Sequence, residues 1–166
     1  GIDYNVHSIN IAKDEQFQPH FLEVSPNNRI PAIVDKDNNN YSLFESGAIL
    51  MYLAEKSGKL INKYISDEYF RTIEWLMWQM GGVGPMFGQV HHFVKYNKGK
   101  SVYAEERYSK EARRLYGVMD KRLGQHQYIS GNEYSIADIS IWPWTARFDW
   151  QEIDLNDFPN VVRWYK

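Results

Sequence analysis

The chain has 166 residues, of which 43% are hydrophobic and 16% aromatic, so it can bury a substantial core and is not intrinsically disordered. Its 19 basic and 21 acidic side chains give a net charge of −2, which predicts no broad positive surface for nucleic acid or anionic lipid. There is no cysteine, which excludes disulfides, thiolate metal sites and a cysteine nucleophile, so any redox chemistry must use a thiol that a ligand supplies.

Targeting signals are not found in the sequence. It has neither a signal-peptide pattern nor an apolar run of membrane-spanning length. We therefore expect a cytoplasmic protein without a membrane partner.

The first 24 residues predict a strand followed by a helix. Residues 4–11 are rich in β-forming side chains. Over residues 13–24, Phe17, Phe21 and Val24 recur at the i, i+4, i+7 spacing of one helix face.

A β-hairpin is predicted next. Residues 32–34 and 41–44 are short β-prone runs, and the Asp and Asn residues at 37–40 between them favour a turn. Pro31 stands where the first strand begins, a position at which a residue without an N–H is tolerated. Only X-Pro bonds adopt the cis form at small cost, so we predict a cis Ile30–Pro31 bond that leaves the backbone of Ile30 free.

The hairpin leads into a predicted helix over residues 46–56, closed by Gly58. The first turn of a helix has exposed N–H groups that bind anions, and Glu45 and Ser46 lie at this point. A free strand edge beside such a terminus can bind a small peptide with a free carboxylate. Spacing alone favours the alternative, an ordinary strand, turn and helix with Ser46 as a simple N-cap.

From residue 66 onwards the sequence predicts helices alone. A helix that starts at Ser66 or Asp67 meets three glycines and Pro85 over residues 81–85, which should kink or interrupt it. Residues 101–123 predict a long amphipathic helix, and residues 157–165 start the last one. Ser135 and Asp138 form a capping box that starts a further helix, which lies between these two helices in the sequence. The expected apolar face of the first helix consists of Ile73, Leu76, Met77 and Met80.

Two stretches resemble the glutathione-binding half of the glutathione transferase family. They are Ser-Pro-Asn-Asn-Arg-Ile-Pro-Ala-Ile-Val-Asp at residues 25–35 and Leu-Phe-Glu-Ser-Gly-Ala-Ile-Leu-Met-Tyr-Leu-Ala at residues 43–54. Residues 75–89 and the His-His-Phe of residues 91–93 narrow the resemblance to the bacterial Nu class, the disulfide-bond reductase type. A fungal nitrogen regulator has a globular domain of similar form. The resemblance covers nearly all of the chain.

The resemblance implies a fold of α/β plus all-α class. Residues 1–58 would form a thioredoxin-like glutathione-binding domain, and residues 66–166 an all-helical C-terminal domain. A thioredoxin-type fold begins with one further strand and helix, so we expect residues before Gly1 that complete the first domain. The family also implies a homodimer, and the glycine-broken helix around residues 81–88 would let two backbones approach closely.

The resemblance further implies that glutathione is bound as a cosubstrate. Ile30, held by the cis bond to Pro31, would offer its main chain to the cysteinyl part of glutathione. Glu45 would pair with the ammonium group of the γ-glutamyl end, and Ser46 with its carboxylate. The other partner would be a small electrophile or a disulfide.

Two further residues are implied as glutathione contacts. Gln16 matches a glutamine of the Nu branch, with the alternative that it is a polar residue at a helix start. Arg107, in the context Glu-Arg-Tyr, matches an arginine that helps to hold glutathione. It lies at roughly helical spacing from Lys110, Arg113 and Arg114, for which a solvated face balanced by the glutamates at 105, 106 and 111 is the favoured interpretation.

The family activates the glutathione thiol with a Tyr, Ser or Cys, or in the Nu branch with a Thr and an Asn, on the loop after the first strand. That loop would precede Gly1, so no catalytic residue is assigned within the chain. His91 and His92 invite a metal interpretation, but adjacent helical residues lie about 100° apart and cannot easily share one ion. We expect no metal site.

The leading hypothesis is a cytoplasmic, homodimeric enzyme that acts as a glutathione-dependent transferase or disulfide-bond reductase. The alternative is a non-catalytic, glutathione transferase-like binding or regulatory domain. A third hypothesis is a plain structural or interaction domain, which would not bind glutathione.

Overall fold

The computed structural model describes residues 2–166 and divides into two compact units, Gly1–Lys59 and Leu60–Lys166. The first unit contains a small sheet and short helices, and the second is helical. No helix of the described chain is both long and apolar enough to cross a membrane.

The sheet of the first unit is the predicted hairpin. Strand β1, Ala32–Asp35, pairs antiparallel with strand β2, Tyr41–Phe44, so that Ala32 lies opposite Phe44. Asn39 and Asn40 close the turn with φ of 51° and 56°, a left-handed conformation that asparagine tolerates. The hairpin prediction is therefore confirmed.

The predicted strand over residues 4–11 is wrong. Residues 2–10 form no strand, and Tyr4 and Val6 are 82% and 76% exposed. A strand exists through the ladder of hydrogen bonds to a neighbouring strand. The sheet found in the described residues has β1 and β2 as its members, so β-forming side chains alone do not make residues 4–11 a strand.

The predicted helix over residues 13–24 is also wrong, because it is broken into three pieces. These are the 3₁₀ turns Ile11–Lys13 and Glu15–Phe17 and the four-residue helix α1, Pro19–Leu22. Asp14 separates the two turns with a φ of 58°. Gln18 is extended, with ψ of 143°, because the ring of a following proline disfavours the helical conformation.

Helix α2, Ser46–Ser57, follows β2 almost directly. Gly58 ends it in the left-handed conformation, with a φ of 64°, and its N–H donates to the carbonyl groups of Ala54 and Glu55. The predicted end of this helix is confirmed, and glycine suits the position because it adopts positive φ without a Cβ penalty.

The second unit is helical, and two of its helices start where the sequence predicts. Ser66 and Ser101 accept hydrogen bonds from the backbone N–H groups three residues later, as N-caps do. The long helix predicted over residues 101–123 is confirmed. The helices are α3, Asp67–Trp78; α4, Gly84–Val90; α5, Val102–Leu123; α6, Ile136–Thr145; and α7, Pro159–Tyr165.

The predicted interruption near residues 81–85 is confirmed. Two π-helical segments, Gln79–Val83 and His91–Tyr96, flank α4. Pro85 has no N–H to donate to the preceding turn, and a π-bulge accommodates such a break. A Cβ on Gly84 would lie 2.7 Å from the side-chain nitrogen of Gln79, so a larger residue there would require the buried Gln79 side chain to move.

The core of the second unit forms between α4, α5, α6 and α7. On α3 the predicted apolar face is partly wrong, because Met77 is 46% exposed. The face that α3 buries carries Tyr69, Thr72 and Leu76, which follow the i, i+3, i+7 spacing, whereas Met77 lies about 100° from Leu76 around the helix. Large side chains of the core include Val83, Phe87, Val90, Leu115, Tyr116, Met119, Ile141 and Val161.

The capping box of α6 is confirmed. The Ser135 hydroxyl accepts from the backbone of the first turn, and the carboxylate of Asp138 accepts the N–H of Ser135 at 3.1 Å. Asp138 is fully buried, and its other oxygen accepts the N–H of Ile129 at 2.9 Å. The same oxygen accepts the indole N–H of Trp164 at 2.8 Å, which ties α7 to the start of α6.

Candidate functional site

A small pocket of about 70 Å³ in the first unit brings together most of the residues that the sequence singled out. The turn before β1 and the junction between β2 and α2 both line it. Its lining residues are Arg29, Ile30, Pro31, Phe44, Glu45 and Ser46.

One wall of the pocket is the proline turn. The Ile30–Pro31 bond is cis, which confirms the prediction. Ile30 is 54% exposed, and pairing with β2 begins only at Ala32. The main chain of Ile30 is therefore placed at the pocket and outside the hairpin ladder.

The start of α2 also lines the pocket. Glu45 occupies the N-cap position with a φ of 71°, and Ser46 is already the first helical residue. The alternative that Ser46 is a simple N-cap is wrong, because the chain turns from strand into helix within the single residue Glu45. The N–H groups of the first turn carry partial positive charge and attract an anion, while the exposed Glu45 carboxylate attracts a cation.

Asn27 does not line the pocket but contacts a residue that does, and sequence reasoning missed it. Its side-chain nitrogen lies 3.4 Å from Oε1 of Glu45, at the long end of hydrogen-bonding distance. The contact links the loop before the proline turn to the start of α2. Asn27 lies within residues 25–35, the stretch that resembles the glutathione-binding half of the family, and this is the one sequence signal for it. The stretch itself does not show which of its residues faces Glu45.

Gln16 lies in the 3₁₀ turn Glu15–Phe17 of the first unit and does not line the pocket. Its side-chain oxygen is shielded from solvent and has no hydrogen-bond partner among the described residues. A buried acceptor without a donor costs free energy, so this oxygen is a place where a donor would be stabilising. The role of Gln16 in binding stays a prediction.

Arg107 belongs to α5 in the second unit, where it lines an open cleft of about 690 Å³ with Tyr103, Tyr108 and Lys110. Farther along this helix, Arg114 donates two hydrogen bonds of 2.7 Å to Glu111, as the interpretation of a solvated face predicts. The Arg114 contact holds the pKa of Glu111 below its ordinary value. The role of Arg107 in binding also stays a prediction.

An ionic cluster joins the hairpin to α2. The hydroxyl of Tyr52 donates to the carboxylate of Asp35 at 2.6 Å, and Lys56 pairs with the same oxygen. The Lys56 and Tyr52 contacts lower the pKa of Asp35 to about 2. Sequence reasoning missed this cluster, for which the only local signal is the i, i+4 spacing of Tyr52 and Lys56 on one helix face.

The described residues contain no group of three or more side chains that could hold a metal ion. The ring of His91 instead packs between Trp144 and Trp150, with centroid distances of 5.9 and 5.4 Å. Its Nε2 lies 3.1 Å from the side-chain nitrogen of Gln151. These contacts give the ring of His91 a packing role within the second unit.

Two models of known families match the chain. The glutathione S-transferase N-terminal domain matches residues 1–55, and the glutathione S-transferase C-terminal domain matches residues 103–166. Together with the structure, these matches confirm the predicted fold class, a thioredoxin-like domain with a small sheet followed by a helical domain.

Named relatives cover the chain almost completely. The disulfide-bond oxidoreductase YfcG of Escherichia coli strain K12 is 47% identical over 169 residues, which include 99% of this chain and 78% of YfcG. The disulfide-bond oxidoreductase YghU of the same strain is 39% identical over 174 residues, which include 100% of this chain and 60% of YghU. The chain therefore spans less than two thirds of YghU.

A solved structure is similar throughout the chain. It is that of a glutathione transferase family member from Pseudomonas fluorescens pf-5 with two glutathione bound, and it superposes with a TM-score of 0.92 at 44% sequence identity. The match covers 99% of this chain and 76% of that one.

Proposed function

The chain belongs to the glutathione S-transferase family, and from this premise we propose that it is a glutathione-dependent disulfide-bond reductase. The observation that carries the proposal is the pocket in the first unit, where a carboxylate, a helix N-terminus and a free main-chain edge lie together. These three features complement the ammonium, carboxylate and peptide groups of glutathione. The disulfide-bond oxidoreductases among the relatives support reduction rather than conjugation.

The pocket residues divide the recognition of glutathione between them. Glu45 binds the α-ammonium group of the γ-glutamyl end, because its exposed carboxylate supplies the opposite charge. Ser46 and the N–H groups of the first turn of α2 bind the α-carboxylate, for which the helix dipole is favourable. The Ile30 main chain pairs with the cysteinyl part, as an added strand pairs with a sheet edge.

The proposed reaction is thiol–disulfide exchange. A glutathione thiolate attacks one sulfur of a disulfide R–S–S–R′, which releases R′–S⁻ and leaves a mixed disulfide of glutathione and R. A second glutathione thiolate attacks the glutathione sulfur of this mixed disulfide and releases R–S⁻. The products are two thiols and glutathione disulfide. The chain has no cysteine, so both reducing thiols come from glutathione. The similar Pseudomonas fluorescens protein, with two glutathione bound, supports a site for two.

The finer parts of the proposal rest on the family. The proposal includes two domains, at residues 1–58 and 66–166, a homodimer and a cytoplasmic location. Gln16 and Arg107 are proposed as further contacts to glutathione.

Calorimetric titration with glutathione and a coupled assay with a small aliphatic disulfide test the proposal. We expect saturable glutathione binding and disulfide-dependent formation of glutathione disulfide, faster than conjugation of an aromatic electrophile. Binding without turnover would support a non-catalytic regulatory domain instead. A chain that does not bind glutathione would contradict the proposed function as a whole.

A further inference from the structure

A buried hydroxyl holds the loop that leads to the proline turn. Ser25 is 0% exposed, and it is the one polar residue of the first unit, among those described, that is buried. Its Oγ donates a hydrogen bond of 2.7 Å to the carbonyl oxygen of Arg29. A buried hydroxyl that donates its hydrogen bond to one backbone carbonyl fixes the position of that carbonyl.

The backbone of Ser25 ties the rest of the loop. Its N–H donates to the carbonyl of Phe21 at 2.8 Å, and its own carbonyl accepts from the N–H of Asn28 at 2.9 Å. Asn28 adopts a φ of 47°, which turns the chain so that the Arg29 carbonyl returns to Ser25. The loop therefore closes on Ser25 through three separate hydrogen bonds.

The Arg29 carbonyl and the Ile30 N–H belong to the same peptide group. A trans peptide group is planar, with its C=O and N–H pointing in opposite directions. The hydrogen bond from Ser25 to the carbonyl therefore sets the direction of the Ile30 N–H, which points away from Ser25 within the peptide plane. Arg29 and Ile30 both line the pocket, so the buried hydroxyl acts on the pocket through the peptide group that joins them.

We propose that Ser25 is a positioning residue of the glutathione site, which orients the Arg29–Ile30 peptide group so that the main chain of Ile30 meets the cysteinyl part of the ligand. The proposal rests on the proposed function. Without this bond the peptide group has more orientations available, and a ligand that needs one of them binds more weakly.

The test compares Ser25→Ala with Ser57→Ala in the full chain. Ser57 lies in the same unit and its hydroxyl also donates to a backbone carbonyl, that of Ala54 at 3.2 Å, but at the C-terminal end of α2 and not in the pocket. We expect Ser25→Ala to raise the Kd of glutathione about threefold to tenfold, the worth of one net hydrogen bond. Ser57→Ala should leave this Kd unchanged, and Ser25→Thr, which keeps the hydroxyl, should restore part of the loss.

A kinetic measurement separates positioning from a general loss of structure. In the disulfide assay, Ser25→Ala should raise the KM for glutathione and leave kcat near that of the parent. Asn28→Ala, which weakens the same turn at a half-buried position, should shift the Kd in the same direction and serves if Ser25→Ala does not fold. Parent-like affinity in the folded variant of this loop would overturn the proposal, and so would an equal loss in Ser57→Ala. A parent chain that does not bind glutathione would instead contradict the proposed function.

Discussion

The side-chain nitrogen of Gln151 lies 3.1 Å from Nε2 of His91, and the same nitrogen donates to the carbonyl of Trp144 at 2.9 Å. The other end of the Gln151 amide accepts from the buried hydroxyl of Tyr116 at 2.7 Å. Because the amide nitrogen is a donor, Nε2 of His91 must accept, and the ring is neutral with its proton on Nδ1. A protonated ring would set two donors against each other.

The first prediction is that stability falls in mild acid because of His91. Burial, with the nearby Arg147 adding to it, lowers the pKa of His91, while Asp149 opposes the shift. In the unfolded chain the ring binds a proton from about pH 6.5 downwards, so the unfolded state binds more protons and stability is lost as pH falls below that value. Urea unfolding between pH 8 and pH 5 should show this decline in the parent.

His91→Gln supplies the comparison, because a glutamine oxygen can accept from Gln151 but does not titrate. The parent should have a higher urea midpoint of unfolding than His91→Gln at pH 6.5, and this difference should shrink as pH falls to 5. His92→Gln, a change at the exposed neighbour, is the matched control and should follow the parent. A constant difference across this range would contradict the assignment of His91 as an acceptor.

The second prediction concerns Asp35, Lys56 and acid unfolding. The folded-state pKa of Asp35 is lowered to about 2 by Lys56 and Tyr52, below its unfolded value of roughly 3.9. The stabilisation from this carboxylate is therefore present above about pH 4 and is lost as pH falls towards 2. Asp35→Asn should unfold more easily than the parent at pH 6, and the two should converge at pH 2, as measured by urea midpoints.

The third prediction is that Asp138 contributes more to stability than its capping partner Ser135. Asp138→Ala leaves the N–H groups of Ile129 and Trp164 without their buried acceptor, at a cost on the order of 3 kcal/mol in the free energy of unfolding. Ser135→Ala removes one N-cap contact, worth about 1 kcal/mol. Guanidinium unfolding of both variants checks the order, and equal losses would show that the long-range contacts of Asp138 contribute little.

Local signals in the sequence predicted several helix ends well in both units. The N-caps at Ser66, Ser101 and Ser135 and the left-handed end at Gly58 all lie where their patterns place them. These features depend on residues within one helical turn, so the sequence contains the whole interaction.

Features that depend on distant partners were predicted less well. Residues 4–11 have β-forming side chains, but a strand also needs a partner, which the local sequence does not reveal. The contacts Asn27–Glu45 and Lys56–Asp35 join residues far apart along the chain, and only the fold brings them together. The pocket residues Ile30, Pro31, Glu45 and Ser46 came from a family resemblance, and the structure adds that they line one cavity.

The fourth prediction is a homodimer. Two large apolar side chains on α3, Phe70 and Met77, are 56% and 46% exposed and lie two turns apart on one face of the helix. Light scattering at micromolar concentration should give twice the 19.6 kDa of one chain, and Phe70→Glu with Met77→Glu should reduce the mass. The glycines of α4 do not serve this contact, because Cβ atoms at Gly84 and Gly88 would meet Trp144 of the same chain. A monomeric parent would contradict the prediction.

The fifth prediction concerns Glu45 and Ser46, which lie next to each other at the start of α2 and which we propose to bind opposite charges of glutathione. Ser46→Ala removes a hydrogen bond to a charged group, about 1.5–3 kcal/mol, so the glutathione affinity should fall roughly tenfold to a hundredfold. Glu45→Gln keeps the shape and removes the charge, so it should weaken glutathione binding and spare an analogue that lacks the γ-glutamyl amine. Calorimetric titration of both variants measures these affinities.

Asn27→Ala is the companion variant for this pair. Asn27 contacts Glu45 but lies outside the pocket lining, so its removal should weaken glutathione binding less than Glu45→Gln does. The amine-free analogue should bind Asn27→Ala and the parent equally, because the contact acts through the Glu45 carboxylate. If Glu45→Gln and Ser46→Ala both bind glutathione like the parent, the pair is only the start of a helix, and the assignment of the pocket is wrong.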